Sequence, residues 1–536
     1  NFGSIPSFPE SLHKGSYPFL NYSLELVRIN RLSLLFGYVY CAAAFCMNLY
    51  ALGSKNPWEH AAAMVYVGSS LGAVFSGDLL TLFFCLEIMS VAPFFLILFR
   101  GTRKAMGAGI RYLLWHHFSG ICILTGILSH VHLTGSIEFS HMPWGWGGRD
   151  FGYNLMLLGF LVNAASVPFH SWLADSYSEA GPGGSIYLTA YTTKTAVFCL
   201  WILFSGVELL IWAGVVSALV SVFLAVLEND GRRLLSYHIV SQVGYMVAGI
   251  GMGTHLSLNG AASHAFCHIL YKALLYMGAG CPLVVVGTVK FHQLGGLYKY
   301  MPYSFWLTMI GGFSISAFPL FSGFVSKTMT LEAAELLHQP VVYLILEGAS
   351  IGTFLHTGLK LPWNIWLQGK DEPAPEIRAH LKDSALNTPI HMLLGMGILA
   401  FLCIFLGVAP GYLYEMLPYP VEFIPFTRTR IFSTIQMFIF SFLGFWFLRK
   451  MVKGHPTYTL DTDWLVRIPG SLLIQFCRKS LTRLGSSIDQ GVAFVALSAI
   501  AMLRNPKIEL ALNPRGIGIG MLASLLLLAM FILYHV

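Results

Sequence analysis

Apolar runs of about twenty residues recur along the whole chain, and they restrict the fold more than any other feature of the sequence. They fall at 31–52, 61–77, 79–99, 108–131, 152–173, 185–204, 210–227, 234–252, 256–286, 303–329, 341–366, 388–409, 431–448 and 517–534. That makes about fourteen membrane spans. In lipid every backbone N–H and C=O must find its partner within the segment, so such runs form helices. The composition agrees: 11% of the residues are charged, against about 25% in a soluble protein. The expected class is an all-α polytopic membrane protein. The net charge of +7 needs no nucleic acid to explain it, because the basic residues cluster in loops.

Two of the runs are interrupted in the same way. One holds Gly159-Phe160, then Pro168 and Ser171; the other holds Gly312-Phe313, then Pro319, Ser322 and Gly323. A mid-span proline removes a backbone donor and breaks the helix. Broken helices at corresponding places in two halves point to an internal repeat with ion sites at the breaks. Two ordinary kinked helices are the simpler alternative.

Ionisable side chains inside the runs come next. His264, His268 and Lys272 are the only His, Lys, Arg, Asp or Glu residues between 256 and 286. Spaced four apart, they share one helix face in a line about 12 Å long. A lysine in mid-membrane costs several kcal/mol unless it faces protein or water. These three are expected to form a proton wire with a proton-holding lysine; polar glue between helices is the alternative. Glu87 and Lys194 are each too deep to snorkel, and a buried pair is the simplest way to tolerate both. Lys327 follows the second break, where unwound backbone beside an amine holds a proton. Glu347, His356 and Lys360 extend a polar path along the next helix or mark its cytoplasmic end, with Lys360 equally suited to anchoring at the interface.

The rest is bland. His116, His117, His130 and His132 lack ligand spacing, and the cysteines form no CxxC, so no metal site, iron–sulfur cluster or disulfide framework is expected. The glycines at 249–253 and 516–520 follow no strand and read as helix packing, not nucleotide binding. The segment before Asn30 is polar and loop-like, with no charged region leading into an apolar core. The basic loops (Arg100, Arg103 and Lys104; Arg232 and Arg233; Lys290 and Lys299; Lys370, Arg378 and Lys382; Arg449, Lys450 and Lys453) are placed on the cytoplasmic side. Between 461 and 504 apolar and basic residues mix, as in an amphipathic helix on the membrane surface.

Six stretches together resemble the antiporter-like subunit family: GDLLTLFFCLEIMS (77–90), VPFHSWLADSY (167–177), TTKTAVF (192–198), DGRRLLSYHIVSQVGYM (230–246), HAFCHILYKALLYMGAG (264–280) and FPLFSGFVSK (318–327). The family includes the large membrane subunits of respiratory complex I, the A-type and D-type subunits of Mrp cation/proton antiporters, and membrane subunits of hydrogenases. The wording is most similar to the D-type Mrp subunits and their hydrogenase relatives. The resemblance implies two inverted five-helix repeats with broken helices near Pro168 and Pro319. It divides the chain into a first span (1–60), a first repeat (61–206), a second repeat (207–366), peripheral helices (367–450), and a lateral amphipathic segment with a terminal span (451–536). It implies that Glu87, Lys194, His264, His268, Lys272 and Lys327 carry protons. Two departures stand out. The usual lysine before the first proline is Asn163 here, and an amide cannot take a proton. The two helices that usually precede the region of Arg31 in the family are expected to be absent here or lost from the sequence as given.

The expected function is proton translocation, or sodium/proton exchange, by one subunit of a larger complex in a prokaryotic inner membrane. No cofactor is expected in this chain. The implied partners are other antiporter-like and small membrane subunits, with peripheral iron–sulfur subunits if redox chemistry drives the complex. The alternative is a structural membrane-arm subunit that has lost pumping because of Asn163. An enzyme with its own quinone or metal site has little support.

Overall fold

The computed structural model describes residues 12–491 apart from 146, 148–149, 369–372, 450–453, 455–460, 462–463, 465–467, 481, 483–485 and 487–489. It divides into two units, Asn1–Thr462 and Asp463–Val536. In the second unit, residues 468–480 are helical and, apart from the half-buried Gly470, exposed. The expected terminal span at 517–534, and most of the lateral segment, lie outside the described residues.

The first unit opens with a β-hairpin, β1 (Leu12–Phe19) and β2 (Tyr22–Ile29), where the sequence suggested a loop. A two-residue connection with Leu20 at φ 52° closes it, the backbone sense that two-residue hairpins need. The hairpin docks through the Gly77 N–H to Glu25 O and the Glu25 N–H to Asp78.

Helices make up the rest: α1 (Arg31–Ala51), α2 (Pro57–Phe75), α3 (Leu79–Leu98), α4 (Arg103–Thr134), α5 (Phe151–Asn163), α6 (Ser171–Glu179), α7 (Pro182–Leu188), α8 (Thr192–Leu203), α9 (Glu208–Leu227), α10 (Gly231–Met252), α11 (His255–Val286), α12 (Pro302–Ile315), α13 (Ser322–Leu336), α14 (Pro340–Thr353), α15 (Pro375–Arg378), α16 (Ile390–Val408), α17 (Gly411–Tyr414) and α18 (Arg428–Leu448). Nine helices among the described residues are long and apolar enough to cross a membrane. After α14 the same rod continues as π-helix over Phe354–Lys360 and Trp363–Leu367, a winding often found at functional sites.

The core forms around α11. Its 32 residues reach about 48 Å, longer than the hydrocarbon layer. A Thr254/Ser257 capping box starts it and the left-handed Gly287 ends it. It packs against α1, α7, α8, α10, α12, α13 and α16, so its whole middle is closed to lipid.

Both interruptions are real breaks, and they close alike. Ser166 N–H reaches back to Leu161 O at 2.9 Å, and Phe318 N–H to Phe313 O at 3.0 Å. Each bond spans a left-handed alanine, Ala165 (φ 54°) or Ala317 (φ 61°), in the pattern that ends helices. Phe169 N–H then bonds Ser166 O, as Phe321 N–H bonds Phe318 O. The prolines sit one place out of step: Val167–Pro168 is a cis peptide, while the residue after Pro319 is left-handed Leu320.

Candidate functional site

Broken helices end inside the bundle, and their last carbonyls lack intrahelical partners. Three buried lysines meet helix C-termini, Lys194 and Lys327 at interruptions and Lys360 where the full-length span α9 ends. Lys194 Nζ donates to Thr189 O at 2.6 Å, at the C-terminus of α7, and to Thr193 Oγ1 at 3.0 Å. Lys327 Nζ donates to Ile315 O at 3.0 Å, the last residue of α12, and to Ser350 Oγ at 3.3 Å. Lys360 Nζ donates to Val226 O at 2.6 Å and Glu228 O at 2.8 Å, where α9 ends. Helix C-termini carry partial negative charge, so a charge on an amine placed there is less costly than elsewhere in the interior. Lys360 is buried, and its carbonyl partners lie at the end of the full-length span α9, a place that suits the polar path and the interfacial anchor equally.

Lys272 differs. It is wholly buried, its Nζ has no hydrogen-bond partner among the described residues, and it stands 5.9 Å from the centre of the Tyr276 ring. His264 and His268 share its face with ring centres 6.1 Å apart. Lys194 is within electrostatic reach of Lys272, His264 and His268, and Lys327 of both histidines. His264 Nδ1 lies 3.2 Å from Ser326 Oγ, one residue before Lys327.

The cluster extends both ways along the α14 rod. Towards the basic loops, His356 Nδ1 is 3.2 Å from His238 Nε2, one turn from Lys360. His238 is within reach of Lys272, Lys327 and Lys360. Towards the other end, Lys327 and Ser350 line an open cleft of about 590 Å³, open solvent included, together with Glu332, Glu335, Tyr343 and Glu347. Arg430 pairs with Glu332 at its rim. Lys360, His356, His238, Lys272, His268, His264 and Lys327 thus line one buried polar region that ends at the Glu347 cleft, with direct contacts at His356–His238, His264–Ser326 and Lys327–Ser350. Glu347 and Lys360, thirteen residues apart on one rod, are about 20 Å apart.

Glu87 is not part of this set. Its carboxylate is a third exposed and meets His117 Nδ1 at 3.9 Å on α4. Gly120 makes room for it, since a Cβ there would fall 2.2 Å from Oε1. The expected Glu87–Lys194 pair therefore does not form: α3 turns Glu87 outward against α4, while α8 turns Lys194 inward to the end of α7. Asn163 is buried, with Oδ1 unpartnered among the described residues.

Sequence reasoning passed over His238, although it lies within a quoted stretch. A histidine among serines and apolar residues carries no spacing signal until α14 is placed beside it. His170 and Asp461 were missed as well. They touch at 3.2 Å, fully buried, and 291 residues of separation hide them from any local pattern. Among the described residues no three His, Cys, Asp or Glu side chains are grouped to hold a metal ion. The cysteines are free thiols, exposed at Cys41 and Cys477, partly buried at Cys85 and otherwise buried.

Comparison with known proteins places these residues in a wider setting. Residues 76–353 match the family described as NADH:quinone oxidoreductase/Mrp antiporter, transmembrane. An uncharacterised protein of Methanocaldococcus jannaschii is 30% identical over 384 residues, 67% of this chain and 77% of that protein. The D-type subunit of the Na(+)/H(+) antiporter of Alkalihalophilus pseudofirmus is 29% identical over 61% of this chain and 69% of its own length. A chain of the membrane-bound sulfane sulfur reductase, an archaeal respiratory membrane complex, shares the fold with TM-score 0.69 at 21% identity, over 97% of this chain and 92% of that one.

Proposed function

The chain belongs to the NADH:quinone oxidoreductase/Mrp antiporter transmembrane family, and from that premise we propose that it conducts protons as one membrane subunit of a larger complex. The buried polar groups from Lys360 to the Glu347 cleft carry this function, with Lys272 at their centre. Lys272 is the buried amine that no carbonyl or carboxylate among the described residues holds. Lys272 passes its proton to His268 and His264, and Lys327 delivers it to the cleft. Buried imidazoles and hydroxyls at these spacings need bridging water to exchange protons, and orphaned polar atoms on His264, His268 and Tyr271 provide its hydrogen-bonding partners.

The finer architecture belongs to the same proposal. α2, α10 and the broken pairs α5/α6 and α12/α13 also cross the bilayer. The matching closures at Ala165 and Ala317 support two repeats, over 61–206 and 207–366. The basic loops face the cytoplasm of a prokaryotic cell and the Glu347 cleft opens opposite. Glu87 and His117 lie on a lipid-level surface where a carboxylate one third exposed is costly, which fits a neighbouring membrane subunit covering them. Sodium as the exchanged ion draws support from the relative's name. Redox chemistry, where present, belongs to iron–sulfur partners, with no cofactor in this chain.

A second function, a sealed structural subunit, is favoured by Asn163 and by the isolation of Glu87 from Lys194. Lys272→Ala in the intact complex separates the two. Proton uptake by native membrane vesicles falls to background if the axis conducts; uptake at the wild-type rate would leave only the structural role. Mass spectrometry of the gently solubilised complex identifies the partners.

A further inference from the structure

Where the first break lacks its lysine, a different protonatable group stands beside it. His170 follows the break directly, before α6, and is fully buried. Its Nε2 lies 3.2 Å from Oδ1 of Asp461, a residue from the segment that follows α18. The carboxylate is equally buried, and Oδ2 accepts a hydrogen bond from the Tyr237 hydroxyl at 2.7 Å. The imidazole contact falls off the ring N–H direction, as unloaded proton-transfer pairs often do.

We propose that His170 and Asp461 are the proton-exchanging pair of the first half, serving where Asn163 cannot. The proposal rests on the proton-conducting function above and assigns its entry. In the transfer the His170 Nε2–H bond breaks and an Asp461 O–H bond forms; the pair passes from imidazolium and carboxylate to imidazole and carboxylic acid. Net charge is unchanged, so the step is cheap in a low-dielectric interior. Tyr237 keeps the carboxylate in place.

The charged surroundings fit this role. Asp175 on α6 is held by Arg111 at 2.8 Å and Arg233 at 3.1 Å, and Glu228 by Arg233 at 3.0 Å. Arg233 also lies 5.9 Å from the Tyr237 ring centre. Those carboxylates have guanidinium groups as partners, which do not deprotonate. Asp461 has an imidazole and a phenol among its close partners, both able to give and take protons, and Arg233 Nη2 donates to the same Tyr237 hydroxyl at 3.4 Å. Tyr237 and His238 are consecutive on α10, so one helix serves both the pair and the polar groups already described. The same segment touches the far end of that set: Gly454 N–H donates to Asn364 Oδ1 at 3.3 Å, and Asn364 Nδ2 donates to Lys360 O at 2.8 Å.

The test uses the intact complex in native membrane vesicles, with proton uptake expressed per assembled complex. Asp461→Asn and His170→Gln are each expected to slow uptake about a hundredfold, and Asp461→Glu to restore it to within about threefold of wild type because the exchangeable carboxyl returns. Rescue by glutamate is a readout that a strap merely packing on the bundle would not give. Wild-type uptake per complex in Asp461→Asn, with Lys272→Ala inactive, overturns this pair and leaves the conducting axis intact. Wild-type uptake in Lys272→Ala overturns the axis itself. If both Asp461 variants lower the amount of complex while uptake per complex is unchanged, the contact is structural and the proposal fails.

Discussion

Lys327 Nζ donates to the main-chain oxygen of Ile315 at 3.0 Å, across the break that separates α12 from α13. The break creates an unpartnered carbonyl, and the lysine one turn beyond it supplies the donor. Lys194 repeats the arrangement on Thr189, between α7 and α8. The interruptions in the helices therefore do two things: they expose backbone inside the membrane, and they make buried ammonium groups tolerable there.

Holding a charge and exchanging a proton separate at Lys327. Arginine keeps the charge and can still donate to Ile315, but it does not deprotonate. Lys327→Arg is expected to assemble normally and to lower proton uptake by vesicles at least about tenfold. Uptake near wild type would mean that fixed positive charge at the break is sufficient and that the cleft beyond it is not a proton exit.

His238 and His356 approach to 3.2 Å from α10 and the π-helical continuation of α14. If a proton crosses between them, removing either imidazole interrupts the same step. His238→Phe and His356→Phe are each expected to slow uptake, and the double variant to be no slower than the worse single. The cycle then shows a coupling of about 0.5–3 kcal/mol in activation free energy. Additive effects would place the two histidines on separate routes.

Much of this was legible in the sequence, and the misses have physical causes. Spans declare themselves by length alone, and Pro168 and Pro319 mark the breaks because the missing donor is local chemistry. His264, His268 and Lys272 are legible because one helix face is a local property. The left-handed alanines are not, since nothing about Ala165 or Ala317 favours that backbone sense; tertiary packing imposes it. The hairpin was missed because its alternation is weak and lies in a polar stretch. Glu87 and Lys194 were paired on opposite sign alone, and sign carries no direction. Side-chain direction depends on which neighbour each helix finds, as with α4 for Glu87 and the end of α7 for Lys194.

Glu87 sits on a face of α3 that also shows Phe84, Ile88, Val91 and Phe95, all at least 39% exposed. A carboxylate on such a face is tolerable when another subunit covers it. A photo-crosslinking residue at Ile88 is expected to capture a neighbouring membrane subunit in intact membranes, identified by mass spectrometry. Labelling of lipid alone would show that the face meets the bilayer and that Glu87 is tolerated by His117 only.

Gly323 begins the second half of the broken pair, and the fit there leaves no room for a side chain. A Cβ would fall 1.7 Å from the main-chain oxygen of Ser314, in the last turn of α12. Backbone cannot step aside as a flexible side chain does, so α13 would have to move. That movement would draw Ser326 from His264 and Lys327 from Ile315, since both residues lie within the first two turns of α13. Gly323→Ala is expected to destabilise the subunit by about 3 kcal/mol or more, read as a lower midpoint in thermal unfolding of the solubilised complex. Gly397 on α16 provides the contrast. It has open space around its Cβ position, and alanine there is expected to be neutral or to stabilise by up to about 1 kcal/mol through helix propensity. Equal tolerance at both positions would mean that the two halves of the break are not held as closely as the Ser314 contact requires, and that Lys327 is positioned by something other than the start of α13.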